Sequence, residues 1–175
     1  MRTRSWGAVA VLVIGAMGIL GCGDPANETR SYFYKGFNAT HSPDGELTGN
    51  GETLLRRVFD GPRSQIIEHV ITKDEQQGVQ ENTLTFTVTG STFEDAEAGV
   101  TGELAGAPWE WTQWTARATL PNGLTLESKS TINEDAVVVD MSFKSGDTLQ
   151  FTLRHSVNAI TQRNFEQTRA EWIPE

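Results

Sequence analysis

Residues 124–157 read LTLESKSTINEDAVVVDMSFKSGDTLQFTLRHSV, and their alternation decides the fold. Leu124, Leu126 and Ile132 fall on one face of an extended chain, against Thr125, Glu127, Lys129 and Thr131. Beyond Asn133-Glu134-Asp135, the run Val137, Val139, Met141 and Phe143 opposes Asp140, Ser142 and Lys144. Beyond Ser145-Gly146-Asp147, Leu149, Phe151, Leu153 and Val157 oppose Gln150, Thr152, Arg154 and Ser156. Successive side chains of a strand point to opposite faces, so each segment has one dry and one wet side. The gaps are too short for a helical crossover, and neighbouring strands therefore pair antiparallel.

The same grammar extends towards the N-terminus. Turn signals recur at Ser42-Pro43-Asp44-Gly45, Asp60-Gly61-Pro62, Asp74 to Gly78 and Pro121-Asn122-Gly123. Such spacing marks an all-β sandwich or barrel. Leu84, Phe86 and Val88 alternate with the threonines from Thr83 to Thr89. Two stretches fit a helical stripe as well as a strand: Leu54, Leu55, Val58 and Phe59, and Ile66, Ile67, Val70 and Ile71. Both are assigned to strands because their apolar runs are short and turn-flanked; a helix at either place would form a lid or plug. Eight to ten antiparallel strands must cover a shared dry face by closing or stacking. The consecutive hairpins lack the long returns of a Greek key, which favours an antiparallel meander closed into a barrel.

Length, meander and the exported context that the N-terminal segment suggests together resemble the lipocalin-like (calycin) barrels. The resemblance is one of architecture: where lipocalins carry Gly-x-Trp, this chain has Tyr32-Phe33-Tyr34-Lys35-Gly36-Phe37. It implies a single barrel over residues 30–175 with an interior able to hold a ligand.

The chain has 175 residues, a formal charge of −9 and 37% hydrophobic residues. One domain with one core is expected at this length. The acidic balance argues against general nucleic-acid binding, which needs a basic face. A lone cysteine excludes an internal disulfide and multi-cysteine metal sites.

That cysteine has a context. Arg2 and Arg4 precede a charge-free stretch, and its apolar part, Trp6 to Leu20, ends at Ile19-Leu20-Gly21-Cys22. The stretch is shorter than the roughly 20 residues a membrane span needs and suits a signal peptide. Ile19 to Cys22 resembles the lipobox of bacterial lipoproteins. The resemblance implies removal of residues 1–21 and lipidation of Cys22, with residues 22–29 as a short tether to the membrane. Seven residues, Gly23 to Thr29, reach roughly 23–25 Å when extended. Gly23 in place of an aspartate after Cys22 favours the outer membrane of the cell envelope.

Candidate binding residues are the inward aromatic and sulfur side chains Phe86, Trp114, Met141, Phe143 and Phe151, together with Trp109, Trp111 and His155. Trp109 and Trp111 share Pro108-Trp109-Glu110-Trp111-Thr112-Gln113-Trp114 with the inward Trp114. A bulge near Thr112 would turn them inward, as core or ligand contacts; without one they face a partner or the bilayer interface. His155 shares a face with Phe151, Leu153 and Val157. An inward histidine is what a haem would need, yet a satisfied core or rim histidine is the commoner role, and no cofactor is expected. The three histidines show no zinc spacing. Glu94-Asp95-Ala96-Glu97 reads as a solvated loop, without the pattern of a calcium site. Nucleophile elbows, phosphate loops and zinc-protease helices are missing from the sequence. The leading expectation is thus a non-enzymatic lipoprotein binding a small apolar molecule or lipid. A structural or assembly lipoprotein with a solid barrel and a partner-binding surface comes second, an envelope hydrolase third.

Overall fold

The computed structural model describes residues 28–75, 78–105, 113–120, 122–132 and 135–174. Cys22, Trp109 and Trp111 lie outside the described residues, as does the whole of the expected signal peptide. The strands are β1 (Thr29–His41), β2 (Leu47–Asp60), β3 (Gln65–Asp74), β4 (Gly78–Thr89), β5 (Thr92–Asp95), β6 (Val100–Ala105), β7 (Gln113–Thr119), β8 (Thr125–Ile132), β9 (Ala136–Ser145) and β10 (Thr148–Ala159). A helix, α1 (Gln162–Trp172), follows. Each strand pairs antiparallel with the next, and β10 returns to β1, so the meander closes into a barrel. The expected fold class is the observed one.

Both helix-or-strand stretches are strands: Leu54 to Phe59 lie in β2 and Ile66 to Ile71 in β3. Their sequences look helical because both of their faces are dry. Leu55 and Ile66 belong to the barrel interior, whereas Leu54 and Ile71 pack outward under α1. Thr161 caps that helix by accepting a hydrogen bond from the backbone N–H of Asn164 at 3.2 Å. Phe165, Thr168 and Trp172, spaced along one face, are its buried residues. Phe33 and Phe165 approach with ring centroids 5.3 Å apart. The ammonium groups of Lys35 and Lys73 stand 5.6 and 5.8 Å from the Trp172 ring.

Two further elements depart from the sequence reading. Of Glu94 to Glu97, expected as a solvated loop, Ala96 and Glu97 are an exposed turn, but Glu94 and Asp95 end the short strand β5 and Asp95 is buried. Its carboxylate accepts backbone N–H bonds from Thr85, Glu97 and Ala98, which satisfies three donors where β5 gives out. The register also shifts between Leu149 and Phe151, so Leu149 does not continue the face of Phe151 and Leu153.

Two glycines allow close approaches in the wall, Gly36 at the closing β1–β10 ladder and Gly102 beside β5. A Cβ on Gly36 would lie 2.1 Å from the Ser156 carbonyl oxygen, a clash with backbone. A Cβ on Gly102 would lie 2.2 Å from the Phe93 ring.

The clamp of α1 on the outer wall gives a stability test. Truncating the buried ring in Phe165→Ala should cost about 3 kcal/mol. Phe37→Ala, whose ring is 68% exposed on the same barrel, should change stability by less than about 0.5 kcal/mol. Urea unfolding of the two variants checks the contrast; equal midpoints would mean that α1 contributes nothing to the fold.

Candidate functional site

The interior is filled at one end and open at the other. Strand direction sets the ends: β1 starts, and the β2–β3, β4–β5, β6–β7 and β8–β9 connections lie, at the first end. There Phe86, Phe93 and Trp114 interlock, with ring centroids 5.1–5.7 Å apart. Ile66, Leu104, Ile132 and Val137 complete this packed plug. Beyond the plug, in the middle of the barrel, the inward positions Thr53, Ala116 and Ser128 are small, and a cavity of about 360 Å³ remains, with Ser130 at its plug-side end. Leu55, Val70, Val139 and Met141 supply apolar walls. Exposed Asn82, near the β3–β4 turn, lies at its mouth.

The deep end of the cavity carries an ion pair. Arg57 and Glu68 face each other across the β2–β3 ladder, 1% and 7% exposed. The Arg57 Nε–H donates to Glu68 Oε1 at 2.6 Å, and the guanidinium carbon stands 5.0 Å from the centre of the Trp114 ring. Desolvating two ions costs several kcal/mol each, which mutual attraction repays only where hydrogen bonding is complete. Here it is incomplete: Arg57 Nη1 and the Oγ of fully buried Ser130 lack hydrogen-bond partners among the described residues. A buried orphan of this kind costs about 1–3 kcal/mol.

A second polar chain runs along the upper wall. Asn38 donates through Nδ2 to Thr53 Oγ1 at 3.0 Å, and Thr53 Oγ1 lies 3.0 Å from His155 Nδ1. The Thr53 hydroxyl, accepting from Asn38, keeps both a donor and a second lone pair for His155 Nδ1. Burial pushes the His155 imidazole down to about 4, so the ring is neutral near pH 7.

Phe86, Trp114, Met141 and His155, four of the residues expected to bind, are brought together as cavity lining. Phe143 and Phe151 instead stack on each other, centroids 4.2 Å apart, towards the β9–β10 turn. Arg57, Glu68, Ser128 and Ser130 were missed. The available signal was parity: Arg57 shares a face with Leu55 and Phe59, and Glu68 with Ile66 and Val70, on strands joined by the Asp60-Gly61-Pro62 turn.

A wider concavity of about 890 Å³ lies on the outer face of β4 to β8, among Thr87, Thr89, Thr101, Thr115, Glu94 and Glu103. Its charges meet water, where an ion pair such as Arg117–Glu127 contributes little. The interior cavity is the better candidate because its walls exclude solvent from whatever enters. Compared with protein-family models and with curated proteins, the chain matches none.

The neutral state of His155 makes stability depend on pH. The folded-state value lies below the ordinary 6.5 of a histidine, so the unfolded chain binds the extra proton between about 4 and 6.5. Stability from this group is complete above pH 6.5 and lost as pH falls towards 4, by on the order of 3 kcal/mol. His155→Gln, which keeps a hydrogen-bonding side chain near Thr53, should flatten that part of the profile. Urea unfolding at stepped pH reads the difference; parallel profiles for both proteins would refute the assignment.

Proposed function

We propose that the protein is a non-enzymatic, lipid-anchored lipoprotein of the cell envelope that carries a small apolar molecule or lipid inside its barrel. The observation that carries this reading is the cavity: about 360 Å³ walled by Leu55, Val70, Phe86, Val139 and Met141 within a closed barrel. Ligand sites of 300–1,000 Å³ with apolar walls and few polar groups are the general pattern. Burial of ligand surface would supply about 25 cal/mol per Å² removed from water.

The anchoring part rests on Ile19-Leu20-Gly21-Cys22 and on direction. β1 begins at Thr29, at the plugged end of the barrel, and the mouth lies at the other end. With Cys22 lipidated and only a short tether, the plugged end would stand against the bilayer and the mouth would face away. Ligand would then be exchanged with the aqueous compartment or a partner rather than drawn straight from the leaflet beneath. The flanks of the connector that holds Trp109 and Trp111, Ala105 and Gln113, lie at the plugged end too.

Two experiments test the two halves. Growth with radiolabelled palmitate should label the protein, and Cys22→Ala should abolish the label and release the chain from the membrane fraction. An unlabelled wild-type chain would rule out the anchor. For the cavity, Ala116→Leu and Val139→Phe should fill the space. Each should lower retention of lipid, identified by mass spectrometry of organic extracts, while the far-ultraviolet spectrum of a β protein persists. A wild-type protein that retains no apolar molecule after exposure to envelope lipids would overturn the carrier reading.

A further inference from the structure

The interior ion pair leaves hydrogen-bonding capacity unused, and a second unused polar group lines the same cavity. A guanidinium offers five N–H donors in a fixed fork. Glu68 Oε1 takes the Nε–H of Arg57 and lies beside Nη2, which leaves Nη1 without a partner among the described residues. Ser130 Oγ is in the same condition, on a side chain with no exposed surface. Trp114 ties the two together. The guanidinium lies over its ring, and Ser130 is its direct partner in the β7–β8 ladder. Arg57 and Ser130 both line the deep part of the cavity, beneath the hydrocarbon walls. Two orphaned polar groups at the closed end of an apolar chamber are the complement of one acceptor atom on an otherwise greasy molecule.

Charge then selects the kind of acceptor. Glu68 already neutralises Arg57 at contact distance. A carboxylate head would bring a second anion into the same dry space, with no cation left to balance it, and would bear the full desolvation penalty. A carbonyl or ester oxygen accepts the same N–H without that penalty. It still gains the extra strength of a hydrogen bond from a charged donor.

Resting on the carrier reading above, we infer that the occupant is an uncharged apolar molecule ending in a carbonyl or ester oxygen, seated oxygen-first on Arg57 Nη1 and Ser130 Oγ. Its hydrocarbon part lies against Leu55, Val139 and Met141, pointing to the mouth. The Arg57–Glu68 pair is then a polarity filter that favours neutral acceptors over both plain hydrocarbons and fatty acids.

Three probes of equal carbon count separate the terms: 2-octanone, octane and octanoate. Each is equilibrated at neutral pH with the full-length chain in phosphatidylcholine nanodiscs, against protein-free discs. Headspace analysis reads the volatile pair and dialysis reads the acid. The ketone should bind about ten-fold tighter than the alkane, the scale of one charge-assisted hydrogen bond, and tighter than octanoate. Ser130→Ala should weaken ketone binding several-fold and leave octane unchanged. The paired substitution Arg57→Met with Glu68→Leu should erase the ketone preference while octane is still taken up. Should that double variant fail to fold, Ser130→Ala alone decides. Equal binding of ketone and alkane, or tightest binding of octanoate, overturns this inference and leaves the carrier reading standing. Binding of none of the three overturns both.

Discussion

The barrel depends on one ladder, the pairing of β1 with β10. It joins residues 34–41 to residues 152–159, the two ends of the strand sequence, and without it the meander is an open sheet with two edges. Closing so long a loop carries an entropic cost before any contact rewards it. Gly36 makes the approach geometrically feasible, because any Cβ there would collide with the Ser156 carbonyl. The same closure places the helix. Immediately after β10, the Ile160 N–H donates to the Phe33 carbonyl at 2.8 Å, and the chain is then outside the barrel, beside the strands that α1 covers. An interior, a covered outer wall and a chamber with two distinct ends all follow from that single junction.

Closure with ten strands also sets the width of the interior, since barrel diameter grows with strand number and is held by the hydrogen-bonded wall. Whether that width is filled depends on the side chains sent inward. At the plugged end Phe86, Phe93 and Trp114 are large enough. Beyond it, in the middle of the barrel, Thr53, Ala116 and Ser128 are not. In a helical core, neighbours would slide together to close such a void; a hydrogen-bonded cylinder cannot shrink without breaking ladders. A dry void of 360 Å³ would cost on the order of 8 kcal/mol at the penalty measured for engineered cavities. That is comparable with the whole stability of a domain of this kind. A chamber open to solvent at Asn82 avoids part of that cost, and an occupant would avoid more of it.

The limits of the sequence as a guide have the same physical origin. Period-two alternation was plain in β8, β9 and β10, whose outer faces meet water, and so the antiparallel meander and its closure were legible. In β2 and β3 alternation fails because α1 dries the outer face, making Leu54 and Ile71 as apolar as Leu55 and Ile66. The helix itself was hidden. Gln162-Arg163-Asn164-Phe165-Glu166-Gln167-Thr168-Arg169-Ala170-Glu171-Trp172 offers a stripe of three buried positions, meaningful only opposite the wall it covers. β5 was hidden by its acidic letters, because Asp95 works as a buried acceptor for backbone groups rather than as a solvated charge. In the candidate site, Phe86, Trp114, Met141 and His155 were readable as inward side chains. Arg57, Glu68, Ser128 and Ser130 were not, since polar letters on a strand default to the wet face.

The misread polar letters have a common explanation. An exposed network such as Arg117–Glu127–Lys144 can be gained or lost at little effect on stability. A buried pair differs: apolar residues of similar volume usually hold a core at least as well, so Arg57 and Glu68 are poorly accounted for as stabilisers. Nor do they fix the β2–β3 register, which the Asp60 to Ser64 turn and the surrounding apolar pairs already specify. What the pair does that leucine or methionine could not is present unsatisfied, oriented donors at the bottom of a hydrocarbon-walled chamber. The stability forgone is concentrated where the interior is least filled. That coincidence of poor packing and incomplete hydrogen bonding in one place is the physical ground for the carrier role proposed above.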